Sequence, residues 1–160
     1  TNSPNSIVKS VAGKKDLTHF MVRLPEEVDF TLEEEERILR NIRKSDKDLM
    51  LAVFDGDRVV GNVGVHIFHD RTKVRHRSSL GIAIIQEYCS SGLGTILMER
   101  GIDFAKKAGF EQLELGVFAD NDRALRLYKK MGFEEIGRIP RAFRLPDGSY
   151  IDEITMVKML

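Results

Sequence analysis

A strand–helix–strand–helix succession in the middle of the chain constrains the fold more than any other feature of the sequence. Apolar runs of strand length cover residues 79–85 and 112–118, and each is followed by a segment with apolar residues at helical spacing. Gly109 and Gly132 stand where these two helical segments end. Strands that alternate with helices pack into one sheet, so the sequence predicts an α/β domain.

Hairpins are predicted on both sides of this succession. Asp55-Gly56-Asp57 separates the apolar runs at residues 49–54 and 58–68, and Pro146-Asp147-Gly148 lies within a second hairpin over residues 133–159. Hairpins pair strands antiparallel, whereas a strand–helix–strand connection makes parallel neighbours. The predicted fold is therefore a single mixed β-sheet flanked by helices.

The N-terminal third is predicted to belong to the same domain, which spans residues 7–160. Residues 1–6 are predicted to be a loose end, residues 7–11 a short strand and residues 16–24 a helix. Thr31 followed by Glu34 is a capping-box pattern, which predicts that a second helix begins there. A length of 160 residues is typical of one domain.

Charge and cysteine content exclude several classes of function. The 25 basic and 25 acidic residues cancel, so the chain lacks the positive surface that favours nucleic acid or anionic membranes. The single cysteine, Cys89, excludes an internal disulfide and a zinc site built from several cysteines. No apolar run approaches the ~20 residues of a membrane span, and the sequence does not open on a signal-peptide pattern. These features predict a cytoplasmic protein without nucleic-acid or membrane partners.

The turn at residues 88–94, between the first central strand and its helix, predicts an anion site. Small residues let the main chain approach a ligand, and the amides at a helix N-terminus point at it with the positive end of the helix dipole. Leu97 stands where a Rossmann fingerprint needs a third small residue, and Thr95 follows Gly94 without the lysine of an NTPase phosphate loop. A turn eased by glycine, without a ligand, is the alternative that this segment alone leaves open.

A second motif follows the next strand, over residues 121–133. The pattern Asn-x-x-Ala-x-x-Leu-Tyr-x-Lys-x-Gly-Phe is matched at every named position, by Asn121, Ala124, Leu127, Tyr128, Lys130, Gly132 and Phe133. Together with the 88–94 turn, this motif resembles the GNAT superfamily of acetyl-coenzyme A dependent N-acyltransferases. The resemblance covers residues 50–160 and implies the GNAT fold, whose mixed sheet is splayed. The family's first signature, Gln/Arg-x-x-Gly-x-Gly/Ala, is matched at Gly92 and Gly94 but broken at Cys89.

The resemblance implies that acetyl-CoA is bound as a co-substrate, without a metal. The main chain of Ile82, Ala83 and Ile84 would pair with the pantetheine arm, and an amide near Ala83 or Ile84 would donate to the thioester oxygen. Asn121 would bind near the pantetheine, and Lys130 would reach a phosphate. The pyrophosphate would lie on the main-chain amides of Cys89, Ser90, Ser91, Gly92, Leu93 and Gly94.

Tyr128 occupies the general-acid position of the family, so the resemblance implies that it protonates the departing thiolate. Its place on an apolar helix face also fits a core aromatic residue, and Asn121 also fits a simple helix cap. The position of Lys130 favours an ordinary surface lysine. Cys89 would suit a covalent acetyl carrier, but direct transfer is the family pattern. A metal site is the less favoured interpretation of a set of three histidines and one acid, whose places in a strand and a loop are more typical of exposed polar side chains. These residues are His66, His69, Asp70 and His76.

The proton acceptor for the amine is left open by spacing alone. Six acids are candidates: Glu27, Asp29, Glu33, Glu114, Asp152 and Glu153. The last hairpin is similar to that of family members that acetylate amino acids, polyamines or related small amines, which implies direct transfer to a small primary amine. The alternatives are a protein N-terminal or lysine acetyltransferase and a non-catalytic acetyl-CoA binding module. Homodimers are common in the family.

Overall fold

A computed structural model describes residues 31–160, except for the side chains of Leu32 and Glu35. The predicted strand at 7–11, the predicted helix at 16–24 and the candidate acids Glu27 and Asp29 lie outside the described residues. In chain order, the elements are α1 (Leu32–Lys44), β1 (Leu49–Asp55), β2 (Arg58–Ile67), β3 (Arg77–Ile84), a 3₁₀ turn (Gln86–Tyr88), α2 (Leu93–Lys107), β4 (Gln112–Phe118), α3 (Asp122–Lys130), β5 (Glu134–Arg144) and β6 (Tyr150–Met159).

The six strands form one sheet in the order β1-β2-β3-β4-β6-β5. The β3–β4 pair is parallel, and the other neighbouring pairs are antiparallel. The parallel pair is the one joined by α2, and the antiparallel pairs β1–β2 and β5–β6 are the two predicted hairpins. The mixed α/β fold predicted from the sequence is confirmed.

Local sequence signals set the ends of several elements. The Thr31 hydroxyl accepts a hydrogen bond from the Glu34 amide at 3.2 Å, and the Glu34 carboxylate accepts one from the Thr31 amide at 3.0 Å. This reciprocal pair is the predicted capping box at the start of α1. The β1–β2 hairpin turns within two residues, because Asp55 already pairs with Arg58.

The core lies on the face of the sheet that α2 and α3 cover, called the core face below. Buried side chains of the central strands pack there, including Val63, Leu80, Leu115 and Ile154. A Cβ built on Gly101 would lie 2.9 Å from Leu80 Cδ1, so α2 packs against the strands more closely than any side chain at that position would allow. Within residues 31–160, no helix is long and apolar enough to cross a bilayer.

Candidate active site

The two central strands separate soon after they start to pair, and this leaves a gap in the sheet. Parallel pairing between β3 and β4 covers three positions, from Arg77 opposite Gln112 to Ser79 opposite Glu114. Both strands then continue, β3 to Ile84 and β4 to Phe118, without pairing to each other. The predicted splay of the sheet is therefore present between β3 and β4.

The direction of each main-chain group in β3 follows from the two ends of its pairing with β2. The Ile85 amide donates to Val60 O and the Phe68 amide donates to Arg77 O, each at 3.0 Å. Antiparallel pairs alternate between bonded and non-bonded positions, so Ala83 directs its amide and carbonyl towards β2. Ile82 and Ile84 direct theirs into the gap.

The same alternation orients the main chain of β4 on the other side of the gap. The Ala119 amide donates to Asp152 O and the Leu160 amide donates to Glu111 O, each at 2.9 Å. These bonded positions are odd-numbered in β4, so the amide and carbonyl of Gly116 point into the gap. Both walls therefore carry main-chain polar groups without a strand partner, which is a costly arrangement unless water or a ligand bonds them.

The gap ends at the N-terminus of α2, where main-chain amides are free. Gly92 is the N-cap in a left-handed conformation, with φ 87°, and it supplies no side chain to cap the helix. The first helical bond runs from the Ile96 amide to Gly92 O at 3.2 Å. Within residues 31–160, the amides of Leu93, Gly94 and Thr95 have no acceptor, as expected for the first turn of an uncapped helix.

The turn before α2 holds itself in place with its own hydrogen bonds. The Cys89 amide donates to Gln86 O at 3.0 Å, and the Ser91 hydroxyl donates to Tyr88 O at 2.6 Å. The Cys89 amide is therefore engaged, and the free donors begin with Ser90, whose φ is also positive at 64°. Within residues 31–160, the Cys89 thiol has hydrogen-bond contacts to main-chain oxygens, the nearer being Ile85 O at 3.6 Å.

Helix α3 brings the second motif to the same place. A Cβ built on Gly94 would lie 3.0 Å from Leu127 Cδ2 and 3.4 Å from Ile84 Cδ1, so the absence of a side chain lets α3 approach the start of α2. The exposed Lys130 ammonium donates to the Thr95 hydroxyl at 3.4 Å. A lysine thus stands beside the free amides, which adds positive charge to the positive end of the helix dipole.

Asn121 caps α3 and leaves part of its side chain available. Its Oδ1 accepts a hydrogen bond from the Ala124 amide at 3.1 Å, and its main-chain amide donates to Phe118 O at 2.9 Å. The side-chain NH₂ has no acceptor within residues 31–160. The cap predicted from the sequence is present. It uses Oδ1 and orients the NH₂ group, which keeps its donors for a ligand.

Tyr128 is buried on the core face, but its hydroxyl is unsatisfied. The residue is 7% exposed, and its ring centroid lies 6.1 Å from that of Phe133. The hydroxyl has no hydrogen-bond partner within residues 31–160, although buried polar groups are normally paired. Burial raises the pKa of the Tyr128 phenol to about 12, so the group keeps its proton at neutral pH.

The acids that spacing could not separate have different surroundings. Glu114 accepts hydrogen bonds from Arg77 Nη2 at 2.7 Å and Gln112 Nε2 at 2.8 Å. The Arg77 guanidinium holds the pKa of the Glu114 carboxyl below its usual value. Arg77 and Glu114 thus join β3 to β4 across their three paired positions. Spacing along the sequence does not indicate this structural role, because it depends on the parallel register.

The remaining described acids are Glu33, Asp152 and Glu153. Glu33 is exposed on the first turn of α1. Asp152 accepts the Arg141 amide at 2.8 Å and lies 3.5 Å from Arg138 Nη1, so both of its oxygens are engaged. Glu153 differs from both, because its carboxylate lies over Gly116 at the wall of the gap.

No group of three or more His, Cys, Asp or Glu side chains within residues 31–160 is arranged to hold a metal ion. Of the histidines considered for such a site, His66 places Nδ1 3.0 Å from Asp48 Oδ1. His69 stacks edge-on against Phe68, with the ring centroids 5.1 Å apart.

Three comparisons with known proteins agree with this geometry. Residues 16–133 match the sequence profile of the Acetyltransferase (GNAT) family. The L-amino acid N-acetyltransferase AaaT of Escherichia coli is 31% identical over 111 residues, which cover 69% of this chain and 67% of the relative. The [ribosomal protein bS18]-alanine N-acetyltransferase of the same species is 43% identical over 54 residues, covering 34% of this chain and 36% of the relative. Among solved structures, an acetyltransferase of the GNAT family from Streptococcus pneumoniae superposes with a TM-score of 0.87 at 30% identity, covering 99% of this chain and 96% of that one.

Proposed function

The chain belongs to the GNAT family of acetyltransferases, and from that premise we propose that it transfers the acetyl group of acetyl-CoA directly to the primary amine of a small molecule. The observation that carries the proposal is the gap between β3 and β4, which leads to the free N-terminus of α2. A ligand that fits must offer amides to the walls of the gap and an anion to the helix. Acetyl-CoA has both, because its amide-containing arm joins a thioester to a pyrophosphate.

The walls of the gap bind the arm in the way that a missing strand would. Ile82 and Ile84 present amides and carbonyls on the β3 side, while Ala83 is turned away towards β2. The predicted donor to the thioester oxygen therefore becomes the Ile84 amide rather than that of Ala83. The side-chain NH₂ of Asn121 supplies a further donor from the start of α3.

The α2 N-terminus binds the pyrophosphate through main-chain amides rather than through a cluster of basic side chains. The free donors belong to Ser90, Ser91, Gly92, Leu93, Gly94 and Thr95, and Lys130 lies beside them. The first turn of α2 carries no acidic residue that would repel a phosphate. This arrangement explains how a chain with no net charge can bind a polyanion.

Acetyl-CoA supplies the activated acetyl group, and Tyr128 stabilises the charge that develops on sulfur. The buried hydroxyl donates a hydrogen bond to the departing thiolate, which satisfies a donor that has no partner within residues 31–160. Complete loss of the phenol proton is unfavourable, because a pKa of about 12 exceeds that of an ordinary thiol by about 3–4 units, or about 5 kcal/mol. Tyr128 therefore acts as a hydrogen-bond donor, and the thiolate acquires its proton as it leaves.

Similarity to an L-amino acid N-acetyltransferase over two thirds of both chains supports a small amine as acceptor. A protein N-terminus is the alternative, and the shorter match to a ribosomal-protein alanine acetyltransferase favours it. Both acceptors present an unhindered amine, so the two reactions use the same chemistry and differ only in what surrounds the amine.

Binding of the co-substrate is tested by thermal unfolding with acetyl-CoA, CoA, NAD and ATP at equal concentrations. A ligand at about 100 times its Kd adds about 2.7 kcal/mol to the free energy of unfolding, which raises the Tm of a domain of this size by about 5–10 °C. We expect this shift with acetyl-CoA and CoA but not with NAD or ATP. An equal shift with all four ligands would contradict the assignment of the gap.

The acceptor is tested by thiol release from acetyl-CoA in the presence of L-alanine, L-lysine, spermidine and a peptide with a free N-terminal alanine. We expect release above the background rate with at least one free amine, and mass spectrometry then locates the acetyl group. Release with the peptide alone would favour the protein acetyltransferase. Tight binding of acetyl-CoA without release for any amine would favour a non-catalytic binding module.

A further inference from the structure

Glu153 lies at the gap, on the face of the sheet opposite the one that α2 and α3 cover. Its strand neighbours Ile154 and Thr155 show the alternation, because Ile154 is buried in the core cluster with Tyr128. Side chains alternate between the two faces of a strand, so Glu153 points away from Tyr128. In the β4–β6 register Glu153 stands opposite Phe118, and Thr155 stands opposite Gly116.

The Glu153 side chain occupies the space that a side chain at position 116 would need. A Cβ built on Gly116 would lie 2.9 Å from Glu153 Cδ and would overlap Glu153 Oε1. Gly116 also has its main-chain amide and carbonyl in the gap. The carboxylate therefore lies at the wall of the gap, in space that a side chain at position 116 would fill.

The Glu153 carboxylate is also uncommitted. Within residues 31–160 it forms no hydrogen bond and no ion pair, whereas Glu114 and Asp152 are held by arginines. The side chain is half-buried, so it is partly withdrawn from water yet open to a molecule that approaches the gap. Among the described acids of the original six, this combination belongs to Glu153.

We propose that Glu153 is the catalytic base, which takes a proton from the acceptor amine on the face of the sheet opposite Tyr128. The assignment rests on the proposed acetyl transfer. The two steps then use different faces of the sheet: the thiolate is stabilised from the core face, and the amine is activated from the opposite face. The amine then reaches the carbonyl carbon through the gap without crossing the space that α2 and α3 fill.

The proton and electron balance is complete with these two residues and water. An ammonium acceptor, R–NH₃⁺, gives one proton to the Glu153 carboxylate, and the nitrogen lone pair forms the C–N bond as the C–S bond breaks. The electron pair of the C–S bond leaves with sulfur, opposite the Tyr128 hydroxyl. The nitrogen loses a second proton as it becomes an amide, so one of the two protons ends on the thiol and the other in water.

The test compares Glu153→Gln with wild type between pH 6 and pH 9.5, using the fastest amine found by thiol release. Wild type uses the abundant ammonium form, so its kcat/KM should change little with pH. Glu153→Gln can react only with the fraction of amine that is already neutral, so its kcat/KM should be about 10²–10⁴-fold lower at pH 7. Its kcat/KM should then rise about tenfold per pH unit towards the amine pKa of about 10. Acetyl-CoA affinity should be unchanged, because the substitution keeps the shape of the side chain.

Two further variants separate a catalytic role from a structural one. Glu153→Asp keeps the carboxylate but withdraws it by one methylene, so it should recover part of the activity and the flat pH profile. Glu135→Gln removes an exposed carboxylate of the neighbouring strand β5 and should match wild type. If Glu153→Gln keeps the wild-type rate and profile, or loses activity equally at every pH, Glu153 is not the base although acetyl transfer stands. If no amine raises thiol release by wild type above the background rate, the proposed function fails and the role of Glu153 fails with it.

Discussion

Replacing Tyr128 with Phe should slow the enzyme and stabilise the protein at the same time. Tyr128 is 7% exposed and its hydroxyl has no partner within residues 31–160, so folding removes a hydroxyl from water without a compensating hydrogen bond. Such a group costs about 1–3 kcal/mol. After allowance for the small space left by one oxygen atom, Tyr128→Phe should gain about 1–2 kcal/mol in the free energy of unfolding, or about 2–8 °C in Tm.

The same substitution should lower turnover by about 10- to 150-fold. A hydrogen bond to a charged group is worth about 1.5–3 kcal/mol, and each 1.36 kcal/mol changes a rate tenfold. The thiolate charge exists only as the C–S bond breaks, so acetyl-CoA binding in the ground state should change little. The loss should therefore fall on kcat rather than on the affinity for the co-substrate.

The stability difference should also depend on pH in a defined direction. Burial raises the pKa of Tyr128 to about 12 in the folded protein, against about 10 in the unfolded chain. The stability associated with the neutral phenol is thus complete below pH 10 and is lost as the pH rises towards 12. Tyr128→Phe lacks this loss, so its advantage over wild type should grow by up to about 3 kcal/mol across that range.

Thermal and urea unfolding at pH 7.5 and at pH 10–11, together with steady-state thiol release, measure all three effects. Tyr88→Phe serves as the matched control for stability, because the Tyr88 hydroxyl donates to the Asp55 carboxylate. That variant should be equally or less stable than wild type. A Tyr128→Phe protein that is less stable than wild type and equally active would show that the hydroxyl has a structural partner and no part in the reaction.

Three further substitutions test the site and its supports. Gly92→Ala places a side chain at φ 87° and should lower the free energy of unfolding by about 1–2 kcal/mol. It should also weaken acetyl-CoA binding in a calorimetric titration. Unchanged affinity would mean that the turn before α2 does not hold the anion. Glu114→Gln should cost about 1–2 kcal/mol at pH 7, since it unpairs the partly buried Arg77. Because the pKa of Glu114 is lowered in the folded state, that cost should be constant above the unfolded pKa of about 4.5 and shrink as the pH falls below it; a cost that does not change with pH would exclude the ion pair as its source. Thr31→Ala removes the capping box and should cost about 0.5–2 kcal/mol in urea unfolding, with no change in kcat; an unaltered unfolding midpoint would mean that α1 adds little to the stability of the domain.

Interactions between residues close in sequence could be predicted without the tertiary structure. The capping box at Thr31, the two-residue turn after Asp55 and the cap formed by Asn121 depend on hydrogen bonds across two or three positions. The order of strands and helices follows from the spacing of apolar residues in the same way. The two motifs of the candidate site were recognisable for a related reason, since each is a continuous segment at the start of a helix.

Contacts between distant segments could not be predicted, because they depend on strand register and on the distance between elements. The orientation of Ala83 away from the gap follows from which positions of β3 bond to β2. Among the acids, nothing in the spacing distinguishes Glu114 from Glu153, yet Arg77 holds one of them and the other lies free over Gly116.

The sequence by itself therefore determined the class of fold and the segments that form the candidate site, because periodicity, caps and glycine positions act locally. Tertiary structure alone decided where the sheet opens, which main-chain groups face the opening and which carboxylate remains available. The physical reason is the parallel pairing of β3 and β4, which stops after Ser79 and Glu114. Every group of the candidate site takes its role from its position relative to the gap that begins there.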